Sequence, residues 1–262
     1  MSTILVTGAT DGIGRETARA LHAAGHDVIV HGRSESKLAA LAKVLPGVRT
    51  FACDLASLAE VRDSTVRLLA REPTLDVALH NAGLFENEAR KSVDGIEMTM
   101  AVNHFAPFLM TQLLLPRLRA SADGRVVMVS SMAHSSGVIS EGDDSFLAGF
   151  SPYGAYAASK LANVLFAREL ARREPGLTTA SLHPGVITTK LLRAGFDMAG
   201  APVAEGAKTS VKVATEPSWR GAAHSGKYYS SEREAKPSAR AQDDALAARL
   251  YDRSLRIVGL TP

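Results

Sequence analysis

The amino-acid sequence predicts an α/β protein: a single domain on a doubly wound parallel sheet of about seven strands, with helices on both faces. Three observations lead there. Short β-branched runs alternate with longer amphipathic ones along the chain, the pattern of strand–helix units joined by right-handed crossovers. The short runs are apolar without strict alternation, as strands covered on both faces are. The chain's 262 residues, 46% hydrophobic and 22% charged, can bury one large core, and no repeat, low-complexity tract or linker divides them.

Taken in order, Ile4-Leu5-Val6 opens the sheet, and residues 13–24 form a helix closed by Gly25. Val28-Ile29-Val30 is the second strand, and a helix over 37–45 stops at Pro46-Gly47. Strands follow at 48–52, 77–79, 126–129 and 179–182, with long helical patterns over 95–119 and 153–173 between the later ones. Ligands of such sheets sit at the carboxyl ends of the strands, so the residues just after each strand matter most.

Composition removes several classes of function. The 30 Lys and Arg are spread among 27 acidic residues, for a net charge of +3, which does not suit a nucleic-acid partner. A single cysteine, Cys53, excludes an internal disulfide and accords with a reducing compartment. The opening MSTILVTGAT enters a strand at once without a basic leader, and the apolar stretch 105–115 is too short to span a bilayer. The expectation is a cytoplasmic protein with no membrane partner. None of the eight histidines stands at a metal-ligand spacing from another His or Cys, so no metal is expected.

After the first strand comes Thr7-Gly8-Ala9-Thr10-Asp11-Gly12-Ile13-Gly14. The glycines fall G-x-x-x-G-x-G rather than G-x-G-x-x-G, but the physics is shared. Gly8 permits a tight turn, Gly12 lets the main chain approach a pyrophosphate, and Gly14 lets the helix pack on the sheet. The helix N-terminus adds N–H groups and positive potential. A glycine-rich turn without a ligand is the plainer alternative. The second strand ends in His31-Gly32-Arg33-Ser34. Where an NAD site usually has a carboxylate, Arg33 suits the 2′-phosphate of NADP; a solvated surface arginine would read the same way. Asp11 weighs slightly against NADP, because that position can carry a second cation. Asp54, after the third strand, is placed to accept from an adenine amine, and His80-Asn81-Ala82-Gly83 reads as a turn over the cofactor.

Tyr156 and Lys160 are four apart and therefore share one helix face, whereas Tyr153 has only Ala157 at that offset. A phenol with its ordinary pKa of about 10 is a poor acid/base near neutrality. A neighbouring ammonium and an oxidised nicotinamide could supply the roughly 3–4 kcal/mol needed to bring it down.

Thr7-Gly8, Gly12, Gly14, Asn81-Ala82-Gly83, Asn103, Ser131, Tyr156, Lys160 and Pro184-Gly185 occur in the order of the short-chain dehydrogenase/reductase family, which essentially the whole chain resembles. Ser159-Lys160-Leu161-Ala162-Asn163-Val164-Leu165-Phe166 and Gly226-Lys227-Tyr228-Tyr229 resemble its retinol-dehydrogenase-type branch. The resemblance implies a Rossmann-type fold holding a nicotinamide dinucleotide, with NADP(H) preferred because of Arg33 and NAD(H) as the alternative. It gives that cofactor Gly8, Thr10, Asp11, Gly12, Ile13 and Gly14 in the first turn. Arg33 and Ser34, then Asp54 and Leu55, then Asn81, Ala82 and Gly83 follow the next three strands. Tyr156, Lys160, Pro184, Ile187 and Thr189 lie on the nicotinamide side.

The resemblance also implies the chemistry. Tyr156 exchanges the proton with the substrate oxygen, and Ser131, rather than Ser130, hydrogen-bonds that oxygen. Lys160 holds the nicotinamide ribose and tunes Tyr156, and Asn103 holds a water in a relay through Lys160. The expected reaction interconverts an alcohol and a carbonyl on a small or medium apolar molecule, lined by Phe85, Met132, Phe146, Phe150, Leu191, Leu192 and Phe196 under a lid at about 186–205. Glu141-Gly142-Asp143-Asp144 is expected to be a solvated loop. A homodimer or homotetramer through the two long helices is expected by analogy. The alternatives are a non-catalytic dinucleotide sensor on the same fold, or an NAD-preferring dehydrogenase.

Overall fold

Runs of Val, Ile and Leu that are apolar on both sides cannot face water on either, and the strands they form lie at the centre of one sheet. The computed structural model describes residues 1–261. In chain order the elements are β1 (Thr3–Val6), α1 (Gly12–Ala23), β2 (Asp27–Gly32), α2 (Glu35–Val44), β3 (Arg49–Ala52), α3 (Leu58–Arg71) and β4 (Val77–His80). There follow α4 (Met98–Met100), α5 (Ala106–Ala120), β5 (Arg125–Val129), α6 (Pro152–Arg173), β6 (Thr178–His183), α7 (Lys190–Phe196), α8 (Val203–Thr215), β7 (Lys227–Ser230), β8 (Arg233–Ala235) and α9 (Asp244–Ile257). The strand order is β3-β2-β1-β4-β5-β6-β7-β8. All neighbours are parallel except β7 and β8. The order reverses between β1 and β4, which opens a crevice at their carboxyl ends.

The sheet has eight strands rather than seven. The extra one is a hairpin partner of β7, with Ser230 opposite Arg233. Its two turn residues, Ser231 and Glu232, have φ of 50° and 59°, a left-handed pair that normally calls for Asn-Gly. Neither residue announces that turn.

Helix termini follow their caps. Ser34 accepts from the Lys37 N–H, so α2 begins at Glu35 and not at Lys37. The expected helix over 95–119 is broken: α4 is followed by a π-helical turn, Ala101–Phe105, before α5. The buried Glu97 carboxylate starts it by accepting from the Thr99 and Met100 N–H groups, each at 2.8 Å.

From Tyr156 to Ala167 every residue of α6 is buried. Part of that cover is α9. Tyr251 packs its ring 5.0 Å from Phe108 and 5.9 Å from Phe166, and Arg173 lies 4.1 Å over it. The Tyr251 hydroxyl accepts from Gln112 at 2.9 Å, and His104 Nε2 pairs with Ser254 Oγ at 2.9 Å. The face of α6 that meets Tyr251 is therefore covered by the chain's own α9.

The acidic loop is not simply solvated either. Arg249 pairs with Glu141 at 3.1 Å and Arg253 with Asp144 at 2.6 Å, which binds the loop to α9. Phe146, at φ 57°, is drawn into the core against Phe105 with the Arg253 guanidinium 4.3 Å over its ring. It does not line a substrate pocket. Among the described residues no helix is long and apolar enough to cross a membrane. No group of three or more His, Cys, Asp or Glu among them could hold a metal ion.

Replacing Tyr251 with alanine removes a buried aromatic ring that joins three helices. The Tyr251→Ala protein is expected to lose about 3 kcal/mol in urea unfolding. A loss below about 1 kcal/mol would mean that α9 does little to hold α5 and α6.

Candidate active site

The lips of the crevice are tied to each other by Thr7. Its hydroxyl accepts from the Asn81 N–H at 2.9 Å and the Ala82 N–H at 3.0 Å, while Asn81 Nδ2 donates to the Thr7 carbonyl at 2.9 Å. The glycine turn and the Asn-Ala-Gly turn are therefore one unit. Gly8 sits at φ 67°, and a Cβ there would fall 2.9 Å from Ala82 Cα. At Gly14 a Cβ would meet Gly8 O and Asn81 Nδ2, both at 2.3 Å. That glycine is required by packing at the start of α1.

Asp11 caps α1 by accepting from the Gly12 N–H at 2.9 Å. It also pairs with Lys190 at the start of α7, and the hydrogen bond from Lys190 leads in holding its carboxyl below the usual range. The same carboxylate feels Lys37, one turn along α2 from Arg33. Arg33 is exposed and makes no ion pair among the described residues. Ser34 is spent on the α2 cap, and the Thr10 methyl covers Gly32, where a Cβ would lie 2.6 Å away. Asp54 accepts from the Ala56 N–H at 3.0 Å, and Leu55 is buried beside it.

The four expected catalytic residues come together where β5 and α6 meet the crevice. Ser130 turns inward and donates to the Lys160 carbonyl at 2.7 Å. Ser131 is the serine that acts on Tyr156, lowering its phenol against the effect of burial, while its hydroxyl accepts from the Ala133 N–H at 3.2 Å. Lys160 lies 5.5 Å from the centroid of the Tyr156 ring and donates to the Val129 carbonyl at 3.0 Å. Asn103, in the π-helical turn, accepts from the Leu84 N–H at 2.8 Å and donates to Leu84 O and Ser159 Oγ, each at 3.0 Å. Its side chain is fully used as a brace. Its carbonyl is different: the residue four further on is Pro107, which has no N–H to donate to it. Gly83 separates the pair, since a Cβ there would be 3.3 Å from both Asn103 Oδ1 and Lys160 Nζ.

The electrostatics depart from expectation. Burial pushes the Tyr156 phenol up to about 12, and Ser131 beside it offsets this only in part. Burial also brings Lys160 down to about 8. Lys160 does not lower Tyr156 by itself, because its ammonium is turned to the Val129 carbonyl rather than to the phenol oxygen.

Over Tyr156 lies an aromatic cover that sequence reading placed only loosely. Phe85 and Phe196 stand 5.5 Å and 6.0 Å from its ring, and 5.4 Å from each other. Phe85 approaches so closely that a Cβ at Gly195 would lie 2.8 Å from it. Leu191 and Ala133 complete this apolar group. Tyr153 is 46% exposed at the mouth and shares a 2.8 Å hydrogen bond with Ser136. Met132 is 59% exposed, Leu192 is half-buried on α7, and Phe150 is half-buried in the loop before α6. After β6, Ile187 pairs with Ala201, and Thr188 exchanges two 2.8 Å hydrogen bonds with Gly200. Thr189 caps α7 by accepting from Leu192, and the half-buried Pro184 directly follows β6.

A family model described as short chain dehydrogenase matches residues 2–200. Human retinol dehydrogenase 14 is 37% identical, across 98% of this chain and 86% of its own. A crystal structure of an uncharacterised protein from Mycobacterium paratuberculosis is 32% identical with a TM-score of 0.84, covering 100% of this chain and 94% of that one. An Escherichia coli CFT073 protein described as a short chain dehydrogenase, complexed with NADPH, is 28% identical with a TM-score of 0.72, covering 88% and 97%.

Burial holds the folded pKa of Lys160, about 8, below its ordinary 10.5. The unfolded chain then binds more protons between those pH values, so stability rises with pH across that window. Lys160→Met is expected to raise stability at pH 7 by about 2 kcal/mol, the relieved burial less one hydrogen bond, and to flatten this pH dependence. Urea unfolding at pH 7 and 9.5 checks it; a variant less stable than the parent at pH 7 would show the opposite balance.

Proposed function

The chain belongs to the short-chain dehydrogenase/reductase family, and on that premise we propose that it is an NADP(H)-dependent oxidoreductase interconverting an alcohol and a carbonyl on a small or medium apolar substrate. One observation carries the reading: Ser131, Tyr156 and Lys160 converge beside the crevice at the switch point, with Ser131 lowering the phenol and Lys160 Nζ 5.5 Å from its ring centroid.

The residues present fit a dinucleotide. The first turn of α1 offers the N–H groups of Ile13 and Gly14 to a pyrophosphate. Arg33 and Lys37 suit a 2′-phosphate. Lys160 has three donors and gives one to Val129, which leaves two for ribose hydroxyls. When bound, the nicotinamide supplies or accepts the hydride.

The chain's own groups handle the proton. A phenol at about 12 holds its proton at neutral pH, the state needed to protonate a carbonyl oxygen. Ser131 donates to the same oxygen and stabilises the charge that develops on it. Lys160 resupplies the proton toward Tyr156 from a water held at the Asn103 carbonyl, to which Pro107 has no N–H to donate. In the oxidation direction the positive charge of the nicotinamide adds to that of Lys160 and eases loss of the phenol proton.

Phe85, Phe196 and Leu191 exclude water from Tyr156 and favour an apolar substrate. The stretch 186–205 acts as the lid. Its ends are pinned at Ile187 and Ala201, while α7 buries none of its residues and so moves at low cost. An NAD-preferring dehydrogenase is the second reading, favoured by the Asp11 carboxylate at the crevice.

NADPH is expected to raise the melting temperature more than NADH; equal shifts would remove Arg33 and Lys37 from cofactor choice. Tyr156→Phe is expected to lower kcat at least 1,000-fold, about 4 kcal/mol, while NADPH titration stays near the parent value. Substantial residual turnover would take Tyr156 out of the reaction, whereas a parent chain that binds NADPH but turns over no alcohol or carbonyl would favour a sensor.

A further inference from the structure

One residue holds two successive N–H groups of the glycine turn. The Gly8 N–H donates to His31 Nδ1 at 3.2 Å, and the Ala9 N–H donates to the His31 carbonyl at 2.8 Å. Because Nδ1 accepts, the ring proton is on Nε2, which donates to the Cys53 carbonyl at 3.0 Å. The imidazole thus bridges the turn after β1 to the end of β3. It is 2% exposed and packs 5.3 Å from the Phe51 ring. Burial brings its pKa down to about 4, so Nδ1 keeps its lone pair at neutral pH.

The ring stands in β2 after Val28, Ile29 and Val30, where another aliphatic side chain would fill the space without desolvating two ring nitrogens. What an aliphatic residue cannot do is accept the Gly8 N–H. That bond fixes which way Gly8, at φ 67°, turns its peptide. With the Gly8 and Ala9 N–H groups bonded to His31 and that of Gly12 to Asp11, the N–H groups at the start of α1, those of Ile13 and Gly14, are left to a ligand.

We infer that His31 is a positioning residue: it sets the glycine turn so that the first turn of α1 presents its N–H groups to the dinucleotide pyrophosphate, without itself touching the cofactor. This rests on the dinucleotide-binding reading above.

Three substitutions separate the role from mere packing. His31→Asn places an amide oxygen where Nδ1 stands and can still accept from Gly8. His31→Gln places its amide where Nε2 stands and can bond Cys53 but not Gly8. His31→Leu does neither. NADPH affinity is read by fluorescence titration, with kcat and the KM for NADPH from steady-state rates. The Asn variant is expected to stay within about 2-fold of the parent, and the Gln and Leu variants to bind NADPH roughly 10-fold more weakly, the effect of one lost hydrogen bond. Their loss appears in KM while kcat at saturating NADPH changes less than about 2-fold. Equal weakening by Asn and Gln, or parent-like binding by Leu, overturns the role of His31. Should the Leu variant not fold, the Asn–Gln comparison decides. A parent chain that takes up neither NADPH nor NADH overturns the dinucleotide reading itself, a result distinct from unchanged binding in the variants.

Discussion

The Thr7 hydroxyl accepts two N–H groups from the opposite lip of the crevice, and the geometry of the site descends from that one oxygen. It joins the ends of β1 and β4 where the strand order reverses, at the point where the sheet would otherwise open. Gly8 must then take a left-handed conformation to leave the strand, and Gly14 must lack a side chain for α1 to begin where it does. Asn81, already bonded to Thr7, forms one wall of that contact. His31 braces the same turn from beneath, through β2. A main chain bonded this thoroughly has few donors left for a ligand.

Farther along the sheet the chemistry works against the fold. Burial raises the phenol of Tyr156 and depresses the ammonium of Lys160, which suits a phenol that must be protonated for reduction but works against the phenolate of oxidation and against a charged Lys160. The surroundings compensate only in part, through Ser131 and the Val129 carbonyl. Such a site sits at a local cost in stability, met by the apolar packing of α6 between the sheet and α9. The aromatic cover of Phe85 and Phe196 adds to burial and so deepens the same conflict.

Much of this was legible in the sequence, and the reasons are local. Uniformly apolar strands, the Gly25 cap and the glycine turn are short-range signals. The i, i+4 spacing distinguishes Tyr156 from Tyr153 without any knowledge of the fold. The features that escaped depend on partners far away. Phe146 has the composition of a pocket residue, yet Arg253 and Phe105 hold it in the core. The acidic loop before it looks solvated until α9 supplies the arginines. Ser231-Glu232 makes a tight hairpin without the residues that usually mark one. The π-helical turn at Asn103 could have been suspected from Pro107, since a proline there denies Asn103 its donor, but the brace to Leu84 and Ser159 could not. Spacing places Lys160 near Tyr156, but the direction of its ammonium, toward the Val129 carbonyl, is a matter of tertiary structure.

The placement of α9 also has a temporal side. It lies C-terminal to every strand, and the ribosome releases it after all of them, yet it closes the core around α5 and α6. Contacts such as that from Arg62 to the Val258 carbonyl span most of the chain, and long-range closure of this kind slows folding. Until α9 docks, the apolar side of α6 remains open to water and to other unfinished chains. The last helix of the chain is thus the one that completes the cover of α6, and that core can close only once synthesis has reached it.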